Sequence, residues 1–404
     1  MTSTCVMTKH CTLPEKELCW PVSQVYHTNR AIIAYSLRIF ETVMPLLVSS
    51  ALTLNARSQR SGGGIYALAL LLGALMAVLG CMALPWSPYV AWQQSAGTDM
   101  FHSRWIYERL HFDRAPIEVA FVGSSRFEAA ISPVALQQGL SRRLGRKVAV
   151  ANLSLVRPGR DLHAQIVDDL LRTHPEVRLI VLADDGDMAS SHPMFAQVAS
   201  PSAIVGAPLF INTSYFPHVL GLPYRALVNA LGQGFPAWAG VARQFDPRAY
   251  AGTDLDRSQG YRLPSGQWRN GNITMDRDRL ARDAAKVVAL QQAGLIGKLT
   301  FLPDRSRFVV DRTYIEKIAA EAASRNIAIA FVRLPVYGPI QLTGNERFTQ
   351  GFGPDFALNG LADNPALFQD GLHMNHAGAM LVSEEIAERL APLLCRQTAR
   401  PGRC

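Results

Sequence analysis

Residues 65–84 read IYALALLLGALMAVLGCMAL, 20 positions without one charged side chain. At ~1.5 Å of rise per helical residue, such a run covers the ~30 Å hydrocarbon core of a bilayer. A helix packed on a globular core keeps a polar face, and this run has none. Arg57 and Arg60 precede it; Trp86, Tyr89 and Trp92 follow it, and no charge returns before Asp99. Positive-inside bias and an interfacial aromatic belt then put residues 1–64 in the cytosol or at the interface, and the chain beyond about residue 90 outside. The run is longer than the ~7–15-residue apolar region of a cleaved signal peptide and starts late. The expectation is a single-pass, uncleaved anchor in the inner (cytoplasmic) membrane, with the C-terminal domain periplasmic or extracellular. Residues 31–54 are apolar but carry Arg38 and Glu41, which suits an amphipathic or interfacial helix better than a second span.

From about residue 100 to 395 the composition is that of a folded domain, followed by a tail at 396–404. The chain is 49% hydrophobic and 18% charged, enough to bury a large core and incompatible with a disordered chain. Lys and Arg outnumber Asp and Glu by 40 to 32. The basic residues are scattered rather than blocked, so no nucleic-acid partner is expected; an anionic membrane surface or glycan suits the charge better. The 6 cysteines show no CxxC spacing and no accompanying His pair, so no metal is expected, and no cofactor either. Cys395 and Cys404 either close a disulfide in an oxidising compartment or stay free thiols, while Cys5, Cys11 and Cys19 should stay reduced in the cytosol.

Short apolar runs at 117–122, 147–153, 177–183 and 327–333 read as buried parallel strands. Helical patterns separate them, one opened by Ser132-Pro133 and stopped by Gly145, others at 161–172, 277–292 and 307–324, and a last one at 376–394. The β-α-β-α-β order predicts an α/β domain, a flavodoxin-like three-layer sandwich with a parallel central sheet, preceded by the transmembrane helix. Residues 190–275 break the rhythm with Pro, Gly and aromatic residues and read as an insertion, helical at 223–231. Residues 336–369 read as loop.

In open α/β sheets the reacting groups gather at the carboxyl ends of strands. Gly123-Ser124-Ser125 lies at such an end. A serine there is either an exposed nucleophile beside free helix N–H groups or an N-cap. Asp370 and His373 stand three residues apart before the last helix, a spacing that lets the carboxylate orient the imidazole and the imidazole deprotonate a serine. His376 is the rival base.

These blocks resemble those of the SGNH (GDSL-like) hydrolase superfamily. Gly123-Ser124-Ser125 is similar to its first block, with Ser124 in place of the usual Asp. Asp370 and His373, within DGLHMNHAGA, are similar to its last block, as found in membrane-anchored members of the D-alanine transfer and polysaccharide O-acetylation type. The resemblance spans roughly residues 110–395. It implies Ser125 as nucleophile, His373 as general base and Asp370 as its orienting acid. Asn152-Leu153-Ser154 with Pro158-Gly159 resembles the second block, which implies Gly159, alongside Ser125, as an oxyanion-hole donor. The third block, GxND, has no counterpart: the strand end reads Asp184-Asp185-Gly186-Asp187. Arg126 or Arg157 could replace the missing donor, and the acids could hold a cation or sugar hydroxyl, or simply solvate the strand end.

The function expected is a membrane-anchored serine esterase or O-acyltransferase, of acetyl groups foremost, acting on a cell-envelope or exported polysaccharide. Its acyl donor would come from a multi-spanning membrane O-acyltransferase. The alternative is a catalytically inactive SGNH-like scaffold in a polysaccharide modification or export complex, motivated by Ser124 and the missing third block. A sensor with an outer ligand domain is weaker, because residues 1–64 carry no recognisable signalling module.

Overall fold

The structure is a computed structural model that describes residues 63–184, 191–338 and 346–398. The 31–54 segment, Asp185, Gly186, Asp187 and Cys404 lie outside the described residues. The chain divides into two compact units at Gly80/Cys81. The described part of the first belongs to α1 (Gly63–Met82), a 20-residue helix with no acidic or basic residue. Its Leu68, Leu71, Leu75 and Met76 side chains are exposed. Among the described residues, no helix is long and apolar enough to cross a membrane.

The second unit opens with α2 (Pro88–Gln93) and α3 (Ser103–His111). Tyr89 and Trp92, expected at a membrane interface, are buried in this unit instead. Ser87 caps α2, with the Val90 N–H donating to its Oγ, and Pro88 occupies the first turn. The buried core therefore includes α2.

The central elements follow as β1 (Val119–Val122), α4 (Ser125–Ala130), α5 (Pro133–Leu144), β2 (Val150–Asn152), α6 (Arg160–Thr173) and β3 (Leu179–Ala183). Ser132 caps α5 and Gly145 ends it with φ 64°, the left-handed conformation glycine adopts freely. The insertion supplies α7 (Phe195–Val198), α8 (Pro201–Val205), α9 (Tyr215–Leu220), α10 (Leu222–Gly234), α11 (Pro236–Ala239) and the antiparallel hairpin β4 (Gly260–Arg262) and β5 (Trp268–Asn270). Then come α12 (Arg277–Ala293), α13 (Leu295–Lys298), α14 (Asp304–Arg307), α15 (Val309–Ser324), β6 (Ala328–Arg333), α16 (Glu346–Thr349), β7 (Asp355–Ala357) and α17 (His376–Thr398).

Five parallel strands form one sheet in the order β2-β1-β3-β6-β7. Counted within the sheet this is 2-1-3-4-5, the doubly wound order of flavodoxin-like folds. Alternation along each strand builds the layers. Ala120, Val122, Ile180, Leu182 and Phe331 face Leu162, Ile166 and Ile315 from α6 and α15. Val119, Phe121, Val181 and Val332 face Leu136, Leu140, Ile386 and Leu390 from α5 and α17. Both faces are apolar, as continuous apolar strands require.

Three elements differ from expectation. β7 lies in the segment read as loop; its three residues are too short for a periodicity signal. The helix read at 307–324 begins two residues later, at Val309, because Phe308 separates it from the short α14. The insertion carries a hairpin with no alternation to announce it.

The turn after β1 leaves no room for a side chain at Gly123. A Cβ there would lie 2.7 Å from the Phe127 ring and 2.8 Å from Ala183 Cβ. Gly123→Ala should therefore lower stability by about 1–3 kcal/mol through overpacking, read as a drop in the denaturant midpoint. An unchanged midpoint would mean the Ser125 turn is not held by this packing.

Candidate active site

The sheet order reverses between β1 and β3, and the carboxyl end of β1 opens at that switch point. The two serines there have different places. Ser124 is buried, with φ −89° and ψ −169°, and caps α4: the Arg126 N–H donates to its Oγ at 3.3 Å. Ser125, the first helical residue, is half-buried, and its Oγ lies 2.8 Å from Nε2 of His373.

Asp370 holds the other side of the ring, with Oδ1 and Oδ2 at 2.9 and 3.0 Å from Nδ1. Its Oδ1 also accepts the backbone N–H groups of Leu372 and His373, an Asx-type turn that folds residues 370–373 around the carboxylate. With Nδ1–H donated to Asp370, Nε2 is left to accept the Ser125 hydroxyl proton. Burial opposes the Asp370 charge, but the His373 charge, its hydrogen bond and the two N–H donors outweigh it and bring the carboxyl down to about 2.

Neighbours fix this loop. A Cβ on Gly371 would meet the Ala284 backbone of α12 at 2.5 Å, so the turn lies flat against that helix. Asn375 anchors the far end: its Nδ2 donates to the Ala366 and Ile273 carbonyls and its Oδ1 accepts the Gly378 N–H. His376 turns away from Ser125. Its Nδ1 lies 3.1 Å from Ser258 Oγ and its N–H donates to the Gly271 carbonyl.

Gly159 caps α6 at the end of the loop after β2, the strand beside β1. Any Cβ there would collide with His192. His192 holds the loop by donating from Nε2 to the Val156 carbonyl, while Nδ1 accepts the Met194 N–H. Burial pulls the His192 ring down to about 4, so it is neutral. Arg157, just before Pro158-Gly159, has φ 72°, a left-handed backbone uncommon for a non-glycine residue.

The other second-block residue is a brace. Asn152 donates from Nδ2 to the Phe127 and Ile131 carbonyls, closing the end of α4. The two arginines considered as substitute donors are engaged elsewhere: Arg126 donates to the Leu334 carbonyl, and Arg157 pairs with Asp99 at 2.9 Å. At the third strand end, Asp184 is buried in an ion pair with Arg333, which also reaches Asp355 on β7. Internal pairing accounts for this acid.

One cluster has no counterpart in the sequence reading. Glu128, one turn after Ser125, is buried and accepts from His102 Nδ1 at 2.6 Å and from Arg257. Arg257 also donates to the Asn152 carbonyl and stacks over Trp105, 5.7 Å from the ring centroid. Burial works against the Glu128 charge, but Arg257 above all, then His102, hold the carboxyl below its usual range, with a smaller contribution from His373. Burial lowers the His102 ring, against the opposing pull of the Glu128 carboxylate. No local motif announces this cluster, because its members are 26 and 129 residues from Glu128.

No protein-family model matches the chain, and no curated protein matches its sequence.

Two measurements probe the site. Glu128→Ala leaves the Arg257 charge buried without its partner and should cost about 3–5 kcal/mol of stability; an unchanged unfolding midpoint would show that the pair is dispensable. Asp370 is depressed from 3.8 to about 2, so its stabilisation is fully present above its unfolded value and is lost as pH falls through the folded one. Between pH 4 and 2, Asp370→Asn should lose less stability than the wild type. Parallel acid curves would contradict the ion pair.

Proposed function

We propose that this chain is a membrane-anchored serine esterase or O-acyltransferase acting on a cell-envelope polysaccharide. The observation that carries the reading is the linked geometry of Ser125 Oγ, His373 and Asp370 at the carboxyl end of a parallel sheet. His373 Nε2 takes the Ser125 proton as Oγ attacks an acyl carbonyl. The tetrahedral oxyanion draws on backbone N–H groups, for which the family resemblance points to Ser125 and Gly159. As the C–O bond breaks, His373 returns the proton to the departing alcohol, leaving the acyl group on Ser125. Water or a sugar hydroxyl then attacks, losing its proton to His373, and Ser125 regains it. Hydrolysis and transfer share every step but the last acceptor.

The uncharged α1 supports an anchor, and a bilayer at hand favours transfer from a membrane acyl donor such as a multi-spanning O-acyltransferase. Cys395 is disulfide-bonded, which suits an oxidising compartment outside the cytosol. The inactive-scaffold reading retains one specific support: Asp184 is occupied by Arg333, and no third-block Asn stands at that strand end.

A fluorophosphonate probe distinguishes the two. The enzyme should label on serine, lose all labelling in Ser125→Ala, and label or hydrolyse an aryl acetate roughly 10³–10⁴ times more slowly in Asp370→Asn. No labelling of well-folded wild type would leave the scaffold as the function.

A further inference from the structure

Residues 191–242 contain a single Asp, Glu, Lys or Arg, namely Arg225, in a chain that is 18% charged overall. That arginine is turned inward, donating from Nη1 to the Ala196 and His218 carbonyls. The stretch is nonetheless not buried. Leu209, Phe210, Phe216, Leu220, Tyr224 and Trp238 are all more than half exposed, Leu220 and Trp238 at 78% and 80%. Phe216 and Leu220 are four apart on α9 and so share one side of it. Consecutive helices α8 to α11 pack on one another, which gathers these side chains into one part of the unit. Large exposed apolar surfaces mark sites of protein or membrane interaction.

The covering surface is indicated by what this subdomain is tied to. Asn229 of α10 clamps Ser87 from both sides, accepting its N–H at 2.8 Å and donating to its carbonyl at 2.9 Å. Gln233 donates to the Pro85 carbonyl at 2.8 Å. Gly232 lies so close to Val90 that a Cβ would sit 2.8 Å from it. Pro85 is three residues past Met82, where the uncharged α1 ends, and three residues span at most ~11 Å. The segment that follows α1 is thus fixed to this subdomain within a few residues of Met82.

We propose that residues 205–238 form a lipid-docking face that rests on the bilayer into which α1 inserts. The composition fits an interfacial element: exposed Phe and Leu for the acyl boundary, Tyr224 and Trp238 for the headgroup level, and no acidic group to be repelled by anionic lipid. The inference rests on the anchor proposed above. It adds that the domain is held against the membrane by a second contact, so that the acceptor site works close to the bilayer rather than at the end of a free tether.

Site-specific photo-crosslinking in the full-length, membrane-inserted protein tests this. Benzoylphenylalanine replaces Phe216, Leu220 or Trp238 in turn. Leu75 in α1 reports the anchor, and Leu381, exposed on α17, is the control. Mass spectrometry then reads the adducts. The proposal expects lipid adducts at the three face positions and at Leu75, well above those at Leu381. Lipid at Leu75 with none at the face overturns the docking face and leaves the anchor standing. A protein adduct of defined mass at the face, in place of lipid, makes it a partner interface and overturns the proposal. No lipid at Leu75 removes the anchor and the face with it.

Discussion

Glu128 is the point on which the site's architecture depends. It sits one turn beyond Ser125 and receives His102 from the α2–α3 entry segment and Arg257 from the insertion. Arg257 in turn reaches the Asn152 carbonyl, and the Asn152 side chain closes the end of the helix that holds both Ser125 and Glu128. Three stretches of chain distant in sequence, at His102, Asn152 and Arg257, are therefore fastened around one six-residue helix. A helix that short has little stability of its own, so its direction, and with it the Ser125 hydroxyl, is set by these buried polar bonds. A buried charged pair adds little net stability but is costly to break, which suits a role in fixing geometry.

The histidine side is built on a different principle. Residues 370–373 form a turn whose shape comes from Asp370 accepting two backbone N–H groups, and whose position comes from Gly371 lying against α12. The same carboxylate that shapes the turn orients the ring. Local hydrogen bonding thus sets the Asp370–His373 relation, while the packing of α5 against α17 on one sheet face brings it to Ser125. The insertion contributes to both sides, through Arg257 at Glu128 and through Ser258 and Gly271 at His376.

What the sequence disclosed follows the range of each interaction. The four main strands, the Ser132 and Gly145 helix signals and the last helix were legible because apolar runs and caps are local. The placement of Ser125, Asp370 and His373 was legible because each block carries its chemistry within a few residues. Tyr89 and Trp92 were misplaced because an aromatic pair after an apolar run suits a membrane interface and a domain core equally well, and only tertiary packing decides. Glu128 was invisible for the same reason: a lone glutamate in a short helix gives no sign of the arginine that will neutralise it. β7 was missed because its pairing with β6, rather than its own pattern, makes it a strand.

A catalytic site and a scaffold differ in which side chains the fold itself needs. Ser124 provides the cap of α4, so the Ser125 hydroxyl is surplus to that helix. The Asp370 turn is closed by backbone N–H groups of Leu372 and His373, so the imidazole is surplus to that turn. His376, by contrast, is used structurally, bonding Ser258 and Gly271. The two side chains that the local structure does not require are the ones that meet at 2.8 Å, half-exposed, with the imidazole's other nitrogen held by a carboxylate kept ionised to about pH 2. A scaffold would gain little from such a pairing, since one exposed hydrogen bond contributes about 1 kcal/mol or less. An acyl-transferring serine requires it. That asymmetry between what the fold uses and what it leaves facing solvent favours catalysis over a purely structural role.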